Sequence, residues 1–380
     1  MQTFSNRMGS IAFSVLVTMM QVLPTILAFS VNIPKTRHCI PLHAQQITEQ
    51  EGLSSTSTTA DIAAAQSSAV KATIDKQSTR RVALLLCPAQ FCVPEDYNEL
   101  WQNLPSHIEI EDADTSSFSS KILIDRDLSR VVPLSRRDWI KVAKQLPTQE
   151  FLSANLAVHK TLDWYFDALE EGLASILHES KDQVDICLVG HSIGGWVARA
   201  FLGGLSRSST SISRVAQTRI SSFVTLGTPH ISPDSALVDQ TRGLLREIAE
   251  APACSSKSLI EDRGIKVTCV CSSSLPGNFV STNVEQFVAA SSYLPLLGRA
   301  GGDVLGDGIV PLDLAFMEAP ADRVVIPACP KTGRPVRHSH VLPTPWNLWD
   351  GYAPSIRLDD SDAVSYVSPD IISLWAQYIR

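Results

Sequence analysis

Three short runs hold residue types that can do chemistry together: Gly190-His191-Ser192-Ile193-Gly194, Gly306-Asp307-Gly308 and His338-Ser339-His340. A serine hydroxyl is a weak nucleophile until an imidazole takes its proton. A carboxylate behind that imidazole fixes the ring tautomer and stabilises the cation. Ser192 is therefore the candidate nucleophile and Asp307 the candidate acid. The candidate base is His338 or His340. An attacked carbonyl also needs donors for its oxyanion. The backbone N–H of Ile193, next to the nucleophile, and that of Gln90, in the loop at 88–92, are assigned this role. The plain readings are a helix-capping serine and an ordinary Gly-Asp-Gly turn.

The elements around these residues argue for the chemical reading. An apolar run at 186–189 meets the G-x-S-x-G pattern, and a helix-compatible segment follows at once. In that setting the serine is lifted on a sharp, strained strand-to-helix turn. Gly190 and Gly194 let strand and helix pass closely, and Gly195 gives further room. Residues 82–87 form a near-continuous apolar run, as expected of a parallel strand buried on both faces. Similar runs at 220–226, 266–271 and 323–326 predict further strands, and 131–134 a short one. Asp307 follows the fifth predicted strand, and both histidines follow the last.

Between the strands, 155–178 predicts one long amphipathic helix with Leu162, Phe166, Leu169, Leu173 and Leu177 on its buried face. Residues 205–218 read as a polar loop. Residues 231–252 read as helical and part of a cap, and 293–302 as an irregular pocket wall. An aromatic run at 345–352 is placed at the rim of an apolar pocket. Ser368-Pro369-Asp370 caps a final helix that buries Ile371, Ile372, Trp375 and Ile379.

The chain has 380 residues, 44% apolar and 19% charged, with a formal charge of −7. That is room for a large single α/β core, and it argues against nucleic acid as a partner. Residues 1–28 read as a signal peptide, with Arg7 ahead of an apolar stretch and Ala28 at the cleavage point; a membrane-spanning helix is the rival reading. Residues 29–80 read as a hydroxyl-rich transit peptide and flexible linker. Beyond the leader seven cysteines remain, without C-x-x-C metal spacing, and their odd number argues against a full disulfide framework. No cofactor or metal is called for.

The leader, with Phe29 after the cleavage point and Lys35, Arg37 and His38 before the first acid, resembles the bipartite leader of plastid proteins in algae with complex plastids. A secreted or endomembrane location is the alternative. The body, residues 81–380, resembles the lipase and esterase superfamily of α/β-hydrolases. The likeness is carried by Gly190 to Gly195, Leu226-Gly227-Thr228-Pro229-His230 and Gly306 to Pro311. It is nearest a plastid-type branch and more distant from GPI-inositol-deacylase-like lipases. The resemblance implies an α/β-hydrolase fold: a mostly parallel central sheet, helices on both faces and a small cap insertion at about 231–300. It implies a Ser192–His338–Asp307 triad and a small-molecule or lipid ester as substrate, with peripheral membrane contact. An acyltransferase or thioesterase on the same scaffold, or a catalytically silent binding fold, stays open.

Overall fold

The computed structural model describes residues 80–111, 119–181, 183–206, 217–237, 239–342, 350–357 and 364–380. The leader readings, most of the polar loop at 205–218 and most of the aromatic run at 345–352 lie outside them.

The apolar run predicted at 82–87 becomes β1 (Arg80–Cys87). Successive side chains of a strand point to opposite faces. Val82, Leu84 and Leu86 therefore enter one core while Ala83, Leu85 and Cys87 enter the other, all fully buried. Around β1 lie β2 (His107–Glu111), β3 (Ser119–Ile124), β4 (Arg130–Val131), β5 (Asp185–His191), β6 (Ile220–Leu226) and β7 (Lys266–Ser272). The smaller strands β8 (Leu275–Gly277) and β9 (Gly301–Gly306) follow, then β10 (Asp322–Ile326). The main sheet has the order β10-β7-β6-β5-β1-β3-β2, with β4 beside β1. Every neighbour pair in it is parallel except β2 with β3.

Helices cover both faces. On one side α2 (Asp163–Ser180), α3 (Ile193–Leu202) and α4 (Leu244–Glu250) bury Phe166, Leu169, Leu173, Val197, Phe201 and Ile248. On the other, α1 (Asn98–Asn103) contributes Leu100, and α6 (Pro369–Ala376) contributes Ile371, Ile372 and Trp375. The C-terminal helix thus buries the face its sequence predicts.

Four expectations are corrected. The helix expected at 155–178 is broken: Val158–Thr161 is a separate turn, Leu162 leaves helical geometry, and α2 runs from Asp163 to Ser180. Trp164 supplies a local reason, since its indole N–H donates to the Thr161 carbonyl. Of the helix expected at 231–252, only α4 forms, because the Asp239 carboxylate holds a turn by accepting from the N–H groups of Thr241 and Gly243. The irregular wall expected at 293–302 is instead the end of α5 (Val284–Leu297) and, after a turn, the start of β9. Asn283 accepts from the Glu285 N–H at the start of α5, and Gly298 ends the helix at φ 73°. The proposed cap at 231–300 is not one insertion, since β7 of the main sheet runs through it. Its later part, α5 with β8 and β9, closes a core of its own around Tyr293, Leu297 and Val304. No described helix is long and apolar enough to cross a membrane.

Candidate active site

Ser192 lies between β5 and α3 with φ 56° and ψ −126°, a backbone region that L-residues rarely occupy. Its N–H donates to the Leu226 carbonyl at 3.0 Å, and its own carbonyl accepts from the Thr228 hydroxyl at 2.9 Å. The turn is therefore held from β6. The glycines are there for space. A Cβ on Gly190 would overlap Gly195, one on Gly194 would overlap the Cys87 carbonyl, and one on Gly195 would overlap the Thr228 side chain. Backbone cannot yield as a flexible side chain can. Gly194→Ala is expected to cost about 1–3 kcal/mol or more in a urea unfolding titration, with loss of any Ser192-dependent activity.

Asp307 follows β9 and is fully buried. Oδ1 accepts from the N–H groups of Ile309 and Val310 at 3.0 and 2.8 Å. Oδ2 faces His338 Nδ1 at 2.8 Å and accepts from the Tyr366 hydroxyl at 3.0 Å. Burial pushes this carboxyl up, but His338 and the N–H donors outweigh it and hold the group below its usual value. The His338 N–H also donates to the Asp307 carbonyl at 2.9 Å. With Nδ1 turned to a carboxylate, the His338 lone pair is left on Nε2.

Both late histidines are buried, in the segment between β11 (Val336–Arg337) and β12 (Val341–Leu342). These short strands pair with β14 (Val364–Ser365) and β13 (Ile356–Arg357) respectively. His340 has a partner of its own. Its Nε2 lies 2.7 Å from the Asp96 carbonyl, beside a buried set in which Asp96 accepts from the Ser355 hydroxyl and lies 3.7 Å from Arg136. The two histidines are therefore divided between an acid and a structural clamp.

The structure ties the pair to the elbow through two residues that sequence reasoning left without a role. Gly227, at φ 53°, has no room for a Cβ, which would meet Asp307 Oδ2, His338 Nδ1 and the Tyr366 ring. Its predecessor Leu226 receives the Ser192 N–H. His191, immediately before Ser192, has Nε2 at 2.8 Å from the His338 carbonyl. The Leu226-Gly227-Thr228 run held a signal for the first of these, a glycine at the end of a buried strand. Tyr366 had none.

The two oxyanion candidates lie at the start of α3 and in the loop after β1. Ile193 opens α3, so its N–H has no acceptor within the helix. In the loop after β1, the Ala89 N–H is taken by the Tyr97 hydroxyl at 2.9 Å, whereas that of Gln90 has no partner among the described residues. Phe91 follows at φ 61°, turning the chain. Among the described residues no three His, Cys, Asp or Glu side chains gather as a metal site.

A parallel sheet in this order, with a strained serine at the carboxyl end of β5 and an acid–histidine pair beside β6, is the α/β-hydrolase fold. Residues 140–235, from ahead of α2 through the turn at Ser192 to the turn after β6, match the family described as "Putative serine esterase (DUF676)", which supports an esterase-type hydrolase. Among solved structures, the Bacillus licheniformis lipase BlEst2 is 14% identical, over 66% of this chain and 85% of that one, at a TM-score of 0.30. A bifunctional GH43-CE protein of Bacteroides eggerthii is 9% identical over 66% of this chain and 31% of its own, with a TM-score of 0.28. RedJ with a PEG molecule bound is 15% identical over 53% and 72%, with a TM-score of 0.22. No curated protein sequence matches the chain. None of these structural likenesses bears on the chemistry.

Proposed function

We propose that the chain is a serine hydrolase of carboxylic esters, acyl lipids foremost, working through an acyl-enzyme. The observation that carries the reading is the buried His338–Asp307 pair, tied through the His338 carbonyl to the residue that precedes a serine held at φ 56°. His338 Nε2 takes the Ser192 proton as the hydroxyl oxygen attacks the ester carbonyl, and Asp307 stabilises the imidazolium. The N–H groups of Ile193 and Gln90 receive the oxyanion. Collapse of the tetrahedral adduct expels the alcohol, which takes the proton from His338. Water then repeats the sequence on the acyl-serine and releases the acid.

Support for an apolar acyl group comes from Ile193 and Phe91, half-buried side chains next to the two donors and packed on the core beneath α2 and α3. The plastid address is proposed from the leader alone. The test is labelling with a fluorophosphonate probe followed by peptide mapping. One probe per chain on Ser192 is expected, together with turnover of p-nitrophenyl butyrate. Folded protein that takes no label and hydrolyses no ester, short-chain or lipid, would overturn the reading.

A further inference from the structure

Tyr97 and His191 are buried, polar and outside the set of Ser192, His338 and Asp307, and their hydrogen bonds run in one direction. A carbonyl oxygen only accepts, so the 2.8 Å contact with the His338 carbonyl places the His191 proton on Nε2. His191 Nδ1 is then an acceptor, and the Tyr97 hydroxyl donates to it at 2.8 Å. The same hydroxyl accepts the Ala89 N–H at 2.9 Å. For a neutral ring no other placement of the protons satisfies all three contacts. Burial, with His338 second, pushes the His191 imidazole down to about 3, so the ring holds this single tautomer at neutral pH.

The ends of this line matter more than its middle. At one end is the peptide next to Gln90, whose N–H is assigned to the oxyanion. At the other is the main chain of His338, which is thereby held at its carbonyl as well as at its N–H. The middle is the residue before Ser192. We propose that Tyr97 and His191 are positioning residues that set the oxyanion loop and the base histidine relative to Ser192 through one continuous hydrogen-bonded line. The inference rests on the serine-hydrolase reading above. It gives the histidine of Gly-His-Ser a task that the attacking chemistry does not use. A displacement of about 1 Å at either end would cost on the order of 10²-fold in rate.

The test separates the two halves of the line. His191→Gln keeps a donor for the His338 carbonyl and loses the acceptor for Tyr97. His191→Asn keeps the acceptor and loses the donor, and His191→Leu loses both. Tyr97→Phe removes only the hydroxyl. Kinetics on p-nitrophenyl butyrate and melting temperatures are measured for the parent, for each variant and for Tyr97→Phe combined with His191→Gln.

The parent should label and turn over. His191→Leu should lose about 10²-fold in kcat with KM within about threefold. His191→Asn and His191→Gln should fall between it and the parent. Tyr97→Phe should cost about tenfold in the parent but less than about twofold in the His191→Gln background. If His191→Leu does not fold, the conservative variants decide. The inference is overturned if the folded variants keep the parent's kcat, if losses lie in KM alone, or if Tyr97→Phe costs as much in the His191→Gln background as in the parent. A parent that neither labels nor hydrolyses instead defeats the hydrolase reading, and this one with it.

Discussion

Alanine at Ser192 or at His338 is expected to lower kcat on a short-chain nitrophenyl ester by about 10⁶-fold each, and the double variant to lose little more. The losses do not add because serine and base act on one proton: once either is gone, the other has no partner. Alanine at His340 is expected to behave differently. It orphans the Asp96 carbonyl in a buried clamp with Ser355 and Arg136, so about 1–3 kcal/mol of stability should go while kcat stays within about tenfold. Kinetics and thermal melts of the three single variants and the double variant check this. Equal kinetic losses at the two histidines would remove His338 from its role, whatever its distance to Asp307.

That pair of histidines shows where the sequence stops being readable. They flank Ser339 in the short segment between β11 and β12, and both are buried. Pattern cannot separate them; only the partners do, an aspartate for one and a carbonyl for the other. The elbow was legible for the opposite reason. Its close approaches admit no Cβ, so the requirement is written as glycine at 190, 194 and 195. β1 was equally plain, because a strand buried on both faces has no polar position to interrupt it. The β2–β3 pair went unseen: it lies at the sheet edge, where His107-Ile108-Glu109-Ile110 alternates polar and apolar residues and forms no continuous apolar run like those that marked the central strands. α5 was hidden by Pro295 near its end and by exposed Val284 and Phe287, which blur any one-sided period. Tyr366 could not be found at all, since its link to Asp307 is made by the fold across 59 residues.

Asp307→Asn should lower kcat by about 10⁴-fold with only a modest change in melting temperature. The hydrogen bonds of the carboxylate explain both halves of that expectation. Oδ1 accepts from two backbone N–H groups, so an asparagine must leave its oxygen there and turn its NH₂ toward His338 and Tyr366. The amide then donates to His338 Nδ1 and drives the ring proton to Nε2, the atom that has to accept from Ser192. Tyr366 can reverse its hydroxyl and accept, so the site stays packed while the base is silenced.

Tyr366→Phe probes the same carboxylate through stability rather than rate. A group held below its unfolded value of 3.8 adds stability that is present above that value and is lost as pH falls through the folded value. Removing the hydroxyl takes a donor from the ionised form, so the depression shrinks. The variant should be less stable than the parent at pH 7, by about 1.5–3 kcal/mol for a bond to a charged group. The gap should narrow on acidification below about pH 4. What remains at the lowest pH measures the orphaned Ser272 N–H, which also donates to that hydroxyl and does not titrate. Melting curves of parent and variant from pH 7 to pH 3 give both parts. A gap that stays constant across the range would mean that the tyrosine supports the strand end and leaves the ionisation of Asp307 alone.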